Sequence, residues 1–143
     1  MKKQMNREEI LATMLKDPAV RRSVVRRSHY WFFLYYFSHY IQYEFAPFQR
    51  EIFALTEDAS VQNAVITGFR DSAKSTIISL SFPIWAILGK SRLKNVVLVS
   101  STEKKAQIFL RHIKDALENN ERLKADLGPF REERIGWNVD ALY

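Results

Sequence analysis

The stretch Ala64-Val65-Ile66-Thr67-Gly68-Phe69-Arg70-Asp71-Ser72-Ala73-Lys74-Ser75-Thr76 decides how the chain is read. Its first four residues form a short β-branched run ending at a glycine, which predicts a buried strand. After a loop, Lys74 to Leu88 predicts an apolar helix, kinked at Pro83 because a mid-helix proline removes one bond and clashes with the preceding turn. Further on, Asn95-Val96-Val97-Leu98-Val99-Ser100 places four apolar residues in a row. Such a run predicts a strand buried on both faces, as in a parallel sheet.

Ser100 and Glu103 have the spacing of a capping box. The helix they open has Ala106, Phe109, Leu110, Ile113 and Leu117 on one side, with Lys104, Lys105, Lys114 and Glu118 towards the other. Strand, loop, helix, strand and helix in that order predict an α/β fold, a parallel sheet with flanking helices. Two strands do not make a stable sheet, so the expected sheet is incomplete.

Upstream the pattern is helical. Ile10, Leu11, Met14 and Leu15 predict a helix over Asn6–Lys16. Asp17-Pro18 suits a second start, with Asp as cap and Pro in the first turn. That helix carries Val20, Val24 and Val25 and continues, or restarts, through Trp31–Tyr43. Residues 30–48 hold eleven of the chain's nineteen aromatics. Phe33, Phe37, Tyr40 and Ile41 share one helical face and predict a core or interface, although such rings also stack bases in single-strand binders. After Ala46-Pro47, Phe48–Leu55 resumes a helix. The long helix after residue 100 runs out near Asn119-Asn120, and a short helix over Glu121–Leu127 stops at Gly128-Pro129. Arg131–Tyr143 has no strong pattern. The expected division is an N-terminal helical, basic and aromatic segment, 1–45, followed by an α/β core, 46–143.

The length of 143 residues suits one domain. No cysteine is present, which excludes disulfides, thiolate zinc sites and cysteine nucleophiles. The net charge is +6, and residues 1–30 hold eight Lys/Arg against three acids. Such a stretch either attracts a polyanion such as double-stranded DNA or is a solvated helix face. The apolar run Trp31–Phe37 is far shorter than the ~20 residues of a membrane span. No signal peptide or membrane segment is expected, which points to the cytoplasm.

The loop carries the chemistry. Gly68, four residues and then Ala73-Lys74-Ser75 match G-x-x-x-x-G-K-[ST] with Ala for the second Gly. Backbone N–H groups of Gly68, Phe69, Arg70, Asp71, Ser72 and Ala73 would cradle phosphates at the helix start. Lys74 would reach the β- and γ-phosphates, and the Ser75 hydroxyl, beside Thr76, would ligate Mg²⁺. Arg70 is a second cation for the γ-phosphate. ATP and Mg²⁺ are therefore the expected cofactors.

Phe48-Gln49-Arg50-Glu51-Ile52-Phe53 is similar to the adenine-recognising glutamine motif of terminases and helicases. Arg70-Asp71-Ser72-Ala73-Lys74-Ser75-Thr76 resembles the deviant phosphate loop of the large terminase subunit of tailed phages. Val97–Glu103, Ala106, Phe109-Leu110, Ile113-Lys114, Glu118-Asn119-Asn120 and Leu123 continue the likeness, which covers roughly residues 30–130. The resemblance implies an incomplete P-loop NTPase, the front part of an ATP-driven DNA-packaging motor. It implies that Gln49 reads adenine, Lys74 and Ser75 hold phosphates and Mg²⁺, and Arg70 senses the γ-phosphate. It also implies double-stranded DNA, a portal protein and a small terminase subunit as partners, with an oligomeric ring for a full-length chain.

One departure is large. No apolar run ending in Asp-Glu follows Ser100. Asp115 and Asp126 lie in helical stretches, and Asp140 follows Gly136-Trp137-Asn138-Val139. The chain alone is therefore expected not to turn over ATP. The alternatives are a helicase-like translocase fragment, a small P-loop kinase and a non-catalytic remnant that only holds partner subunits.

Overall fold

The computed structural model describes residues 6–89 and 93–130. Seven α-helices make up most of that length: α1 (Arg7–Lys16), α2 (Pro18–Arg27), α3 (His29–Tyr36), α4 (Pro47–Glu57), α5 (Phe82–Leu88), α6 (Glu103–Asn119) and α7 (Glu121–Leu127). A 3₁₀ turn, Ser38–Tyr40, follows α3, and a π-helical stretch, Thr76–Ser81, runs directly into α5.

Local chemistry explains most boundaries. The Asn6 side chain accepts from the Glu8 N–H, and the Glu9 carboxylate accepts from the Asn6 N–H, so α1 starts in a capping box. Asp17 caps α2 through the Ala19 and Val20 N–H groups. Ser28 caps α3 through the Trp31 N–H, and its hydroxyl donates to Glu57 on α4. Glu57 also accepts from the Tyr30 N–H, which places an anion at the positive end of α3. The α6 cap is Thr102, which accepts from the Lys105 N–H, rather than Ser100. Asn120 ends α6 and caps α7.

The helix changes register ahead of Pro83. The Phe82 N–H bonds the Ile77 carbonyl, five residues back, so the ladder has shifted to π register just before the proline. Pro83 then falls in the first turn of α5, where its missing N–H costs nothing.

The core is one cluster. Phe32, Phe33, Tyr36 and Phe37 pack with Phe53, Ile77, Ile84 and Trp85, and the cluster reaches Met14, Ile113 and Leu123. Phe53 meets Phe33, Phe45 and Tyr30 edge-on, at centroid distances of 5.5, 5.3 and 5.6 Å. Edge-on contact suits the ring quadrupoles. The aromatic segment is thus mostly core. Its far end differs from the expected buried face, because α3 stops at Tyr36 and Tyr40 is 50% exposed.

The sheet predicted from Ala64–Thr67 and Asn95–Ser100 is absent: the described residues contain no strand. Among the described residues no backbone hydrogen bond joins either run to another segment. Ile66 and Leu98 lean on the core, but Val65, Val97 and Val99 are 91, 82 and 88% exposed. A β-branched run becomes a strand only when a neighbour completes its ladder. Among the described residues none does. The α/β, incomplete P-loop NTPase expectation is therefore corrected to an all-helical architecture.

Candidate functional site

The loop before the π-helical stretch does not behave as the phosphate motif requires. Asp71 and Ala73 have φ of 63° and 59°, the left-handed region in which a Cβ costs about 1 kcal/mol. Lys74 turns back and donates from Nζ to the Gly68 carbonyl at 3.2 Å. Gln49 Oε1 accepts from the Ala46 N–H at 2.9 Å, and Nε2 donates to the Ser72 carbonyl at 3.1 Å. Both ends of the amide thus staple the start of α4 to the loop. Phe69 is 67% exposed, with its edge on Phe48 at 5.4 Å. Arg70 projects into solvent without a partner among the described residues. Ser72 is buried. Ser75 and Thr76 are brought elsewhere, into the wall of a cavity shared with α6.

A phosphate-binding loop functions at the edge of a sheet, which fixes both the loop and the helix behind it. With no sheet among the described residues, the expected ATP and Mg²⁺ binding and the terminase, helicase and kinase readings that depended on it are withdrawn. The portal and small-subunit partners had no other basis than that resemblance.

Sequence reasoning missed a polar network at the centre of the core. His29 and Ser81 are both 0% exposed. His29 Nε2 lies 3.0 Å from Ser81 Oγ, and Nδ1 lies 2.7 Å from Thr56 Oγ1. The Thr56 hydroxyl donates to the Phe53 carbonyl at 2.8 Å, so its one proton is spent. Nδ1 must then be the donor, which leaves Nε2 to accept from Ser81. The imidazole stacks on Trp85 at 5.3 Å and meets the edge of Phe53 at 5.0 Å. Burial lowers its pKa from the usual 6.5 to about 3. The Ser81–His29 distance is that of a nucleophile and its base, but neither atom can be reached by a substrate. The network is structural.

A second buried cluster ties α7 to α2 and α3. Arg21 makes a bidentate pair with Asp126, both contacts 2.7 Å, and Tyr36 donates to the same carboxylate at 3.0 Å. Burial alone would raise the Asp126 pKa, but bonds from Arg21 and Tyr36 outweigh it and hold the carboxyl below its usual range. The Tyr35 ring lies between the Arg21 and Arg122 guanidinium groups, 5.1 and 5.5 Å from its centroid. Asn120 donates to the Tyr36 carbonyl at 2.7 Å.

These partners remove several cations from the basic N-terminal stretch. Arg21 is spent on Asp126 and Arg7 sits 6.0 Å from the Tyr30 ring, whereas Arg26 is half-buried and its buried Nε has no hydrogen-bond partner among the described residues. Lys16 and Arg27 are exposed with no partner among the described residues, whereas half-buried Arg22 feels the Asp126 carboxylate. They flank and lie on α2. On α6, Lys104 and Arg111 are exposed in the same way.

A cavity of about 690 Å³ lies between the 3₁₀ turn, the π-helical stretch, α6 and α7. Its volume falls within the range of ligand sites, ~300–1,000 Å³. No group of three or more His, Cys, Asp or Glu placed to hold a metal occurs among the described residues. No helix there is long and apolar enough to cross a membrane. No family model, curated protein or solved structure matches the chain.

Proposed function

We propose that the chain is a helical module that binds the phosphate backbone of double-stranded DNA without reading its sequence. The carrying observation is the pair of exposed cations left beside and on α2 after internal partners are counted, Lys16 and Arg27, with Arg22 only partly engaged by Asp126. The ten residues of α2 span about 15 Å. A duplex presents about one phosphate charge per 1.7 Å of axis, so several phosphates lie within reach of that length. The net charge of +6 adds long-range attraction. Backbone contacts of this kind position a protein but carry no base specificity. A cytoplasmic location goes with this partner.

The test is fluorescence anisotropy with a labelled 30-base-pair duplex at about 50 mM salt. The double substitution Lys16→Glu with Arg27→Glu is expected to weaken binding by at least about tenfold, equally for unrelated duplex sequences. Both residues lie in the last turn of a helix, so the reversal is expected to cost about 1–2 kcal/mol in total through the helix dipoles, and binding is compared at a temperature where both chains are folded. Unchanged affinity in that variant would reject the α2 surface as the interface.

A further inference from the structure

We infer that the cavity beside α6 takes a nucleobase bearing an exocyclic amine, as a nucleoside or as an unpaired nucleotide of a strand. One wall is the ring cluster of Phe37, His39 and Tyr40. His39 and Tyr40 have centroids 4.3 Å apart, and Phe37 lies 6.2 Å from each, with interplanar angles of 31–43°. Rings tilted so little form a platform for a flat ligand. The facing wall is α6, where Phe109, His112, Asp115 and Asn119 recur at helical spacing.

The polar groups narrow the ligand class. Arg122 lines the cavity but already donates to the Tyr35 carbonyl and to Ser38 Oγ, both at 3.3 Å. Glu121 is held by Lys124 at 2.7 Å. Asp115 is exposed and has no partner among the described residues, so it is the one uncommitted charge on the lining. A carboxylate accepts only, and an exocyclic amine donates. Among the described residues no uncommitted cation lines the cavity, so it suits the ring and not a phosphate. Adenine, cytosine and guanine present that amine, whereas thymine and uracil offer only a ring N–H.

The test uses the histidines as reporters. His39 and His112 both line the cavity, while His29 is sealed in the core and reports the fold. Imidazole C–H signals are followed by NMR during titration with cytidine, adenosine, thymidine and uridine. Cytidine and adenosine are expected to shift His39 and His112 saturably, with His29 unmoved and with thymidine and uridine at least about fivefold weaker. Tyr40→Ala is expected to weaken cytidine binding about tenfold, through loss of stacking. Asp115→Asn is expected to erase the preference for the amine. A single-stranded oligo-dC probe separates the two sources: tighter binding than cytidine assigns a strand, and equal binding assigns a free nucleoside. Absence of shifts at about 10 mM nucleoside, or shifts unchanged in Tyr40→Ala with the His29 signal intact, would overturn the inference. Nucleosides carry no phosphate, so this outcome is independent of the α2 cations.

Discussion

Lowering the pH from 7 to 4 is expected to remove roughly 3 kcal/mol of stability through His29 alone. Unfolded, the imidazole titrates at 6.5; folded, it titrates at about 3 because the core desolvates it. Between those values the unfolded chain holds one more proton. Stability therefore rises with pH across that window and falls as the pH drops through it, by up to about 1.4 kcal/mol per unit. Above 6.5 the group contributes no pH dependence. The groups facing it are the Thr56 and Ser81 hydroxyls and the Phe53, Phe82 and Trp85 rings. None of them carries a charge to offset a proton. Asp126, whose carboxyl is held low, adds a loss in the same direction at more acidic pH, as it too becomes protonated. Domains of this size have only ~5–15 kcal/mol in total, so acid unfolding should begin near pH 4–5. Urea midpoints measured from pH 7 to 4 check this. His29→Gln should lower stability at pH 7 but flatten the slope between 6.5 and 4.5. A slope as steep in His29→Gln as in wild type would place the titration elsewhere.

Asp126→Ala is expected to cost about 3–5 kcal/mol, the largest effect of any single polar substitution. The side chains of Arg21 and Asp126 are 12% and 5% exposed, so truncation strands a guanidinium and the Tyr36 hydroxyl away from water. Breaking one side of a buried pair leaves an uncompensated charge, whereas replacing both sides with apolar groups removes the desolvation cost as well. Arg21→Leu combined with Asp126→Leu should therefore recover much of the loss. Urea unfolding of both variants decides it. A loss under about 1 kcal/mol in Asp126→Ala would show that α7 is not anchored through this cluster.

The helices were legible because each carries its own signals. Asp17-Pro18, Asn120 and Gly128 mark boundaries within a few residues, and the structure places the ends of α1, α2, α6 and α7 there. The sheet was misread because Ala64–Thr67 and Asn95–Ser100 show only half of what a strand needs. Their composition favours pairing, but a pairing partner is not a local property. The phosphate-loop match failed in the same way. Spacing alone placed Gly68 six residues before Lys74, and the structure uses that spacing to satisfy the Gly68 carbonyl. His29 gave no sequence signal, since its neighbours Thr56 and Ser81 are 27 and 52 residues away. The basic stretch was legible as charge, yet its sequence did not show which arginines were spent internally. That required Asp126, 105 residues from Arg21.

The central claim is that the uncommitted cations of α2 meet phosphates, and the salt dependence of duplex affinity tests it most directly. Neutralising a phosphate releases a counterion, so the slope of log affinity against log salt is about −0.9 per contact. Two contacts, from Lys16 and Arg27, give a slope of about −1.8 or steeper. Reversing Lys16 and Arg27 together should flatten it by about 1.8. A slope near zero, or no duplex binding at about 50 mM salt, would contradict the account.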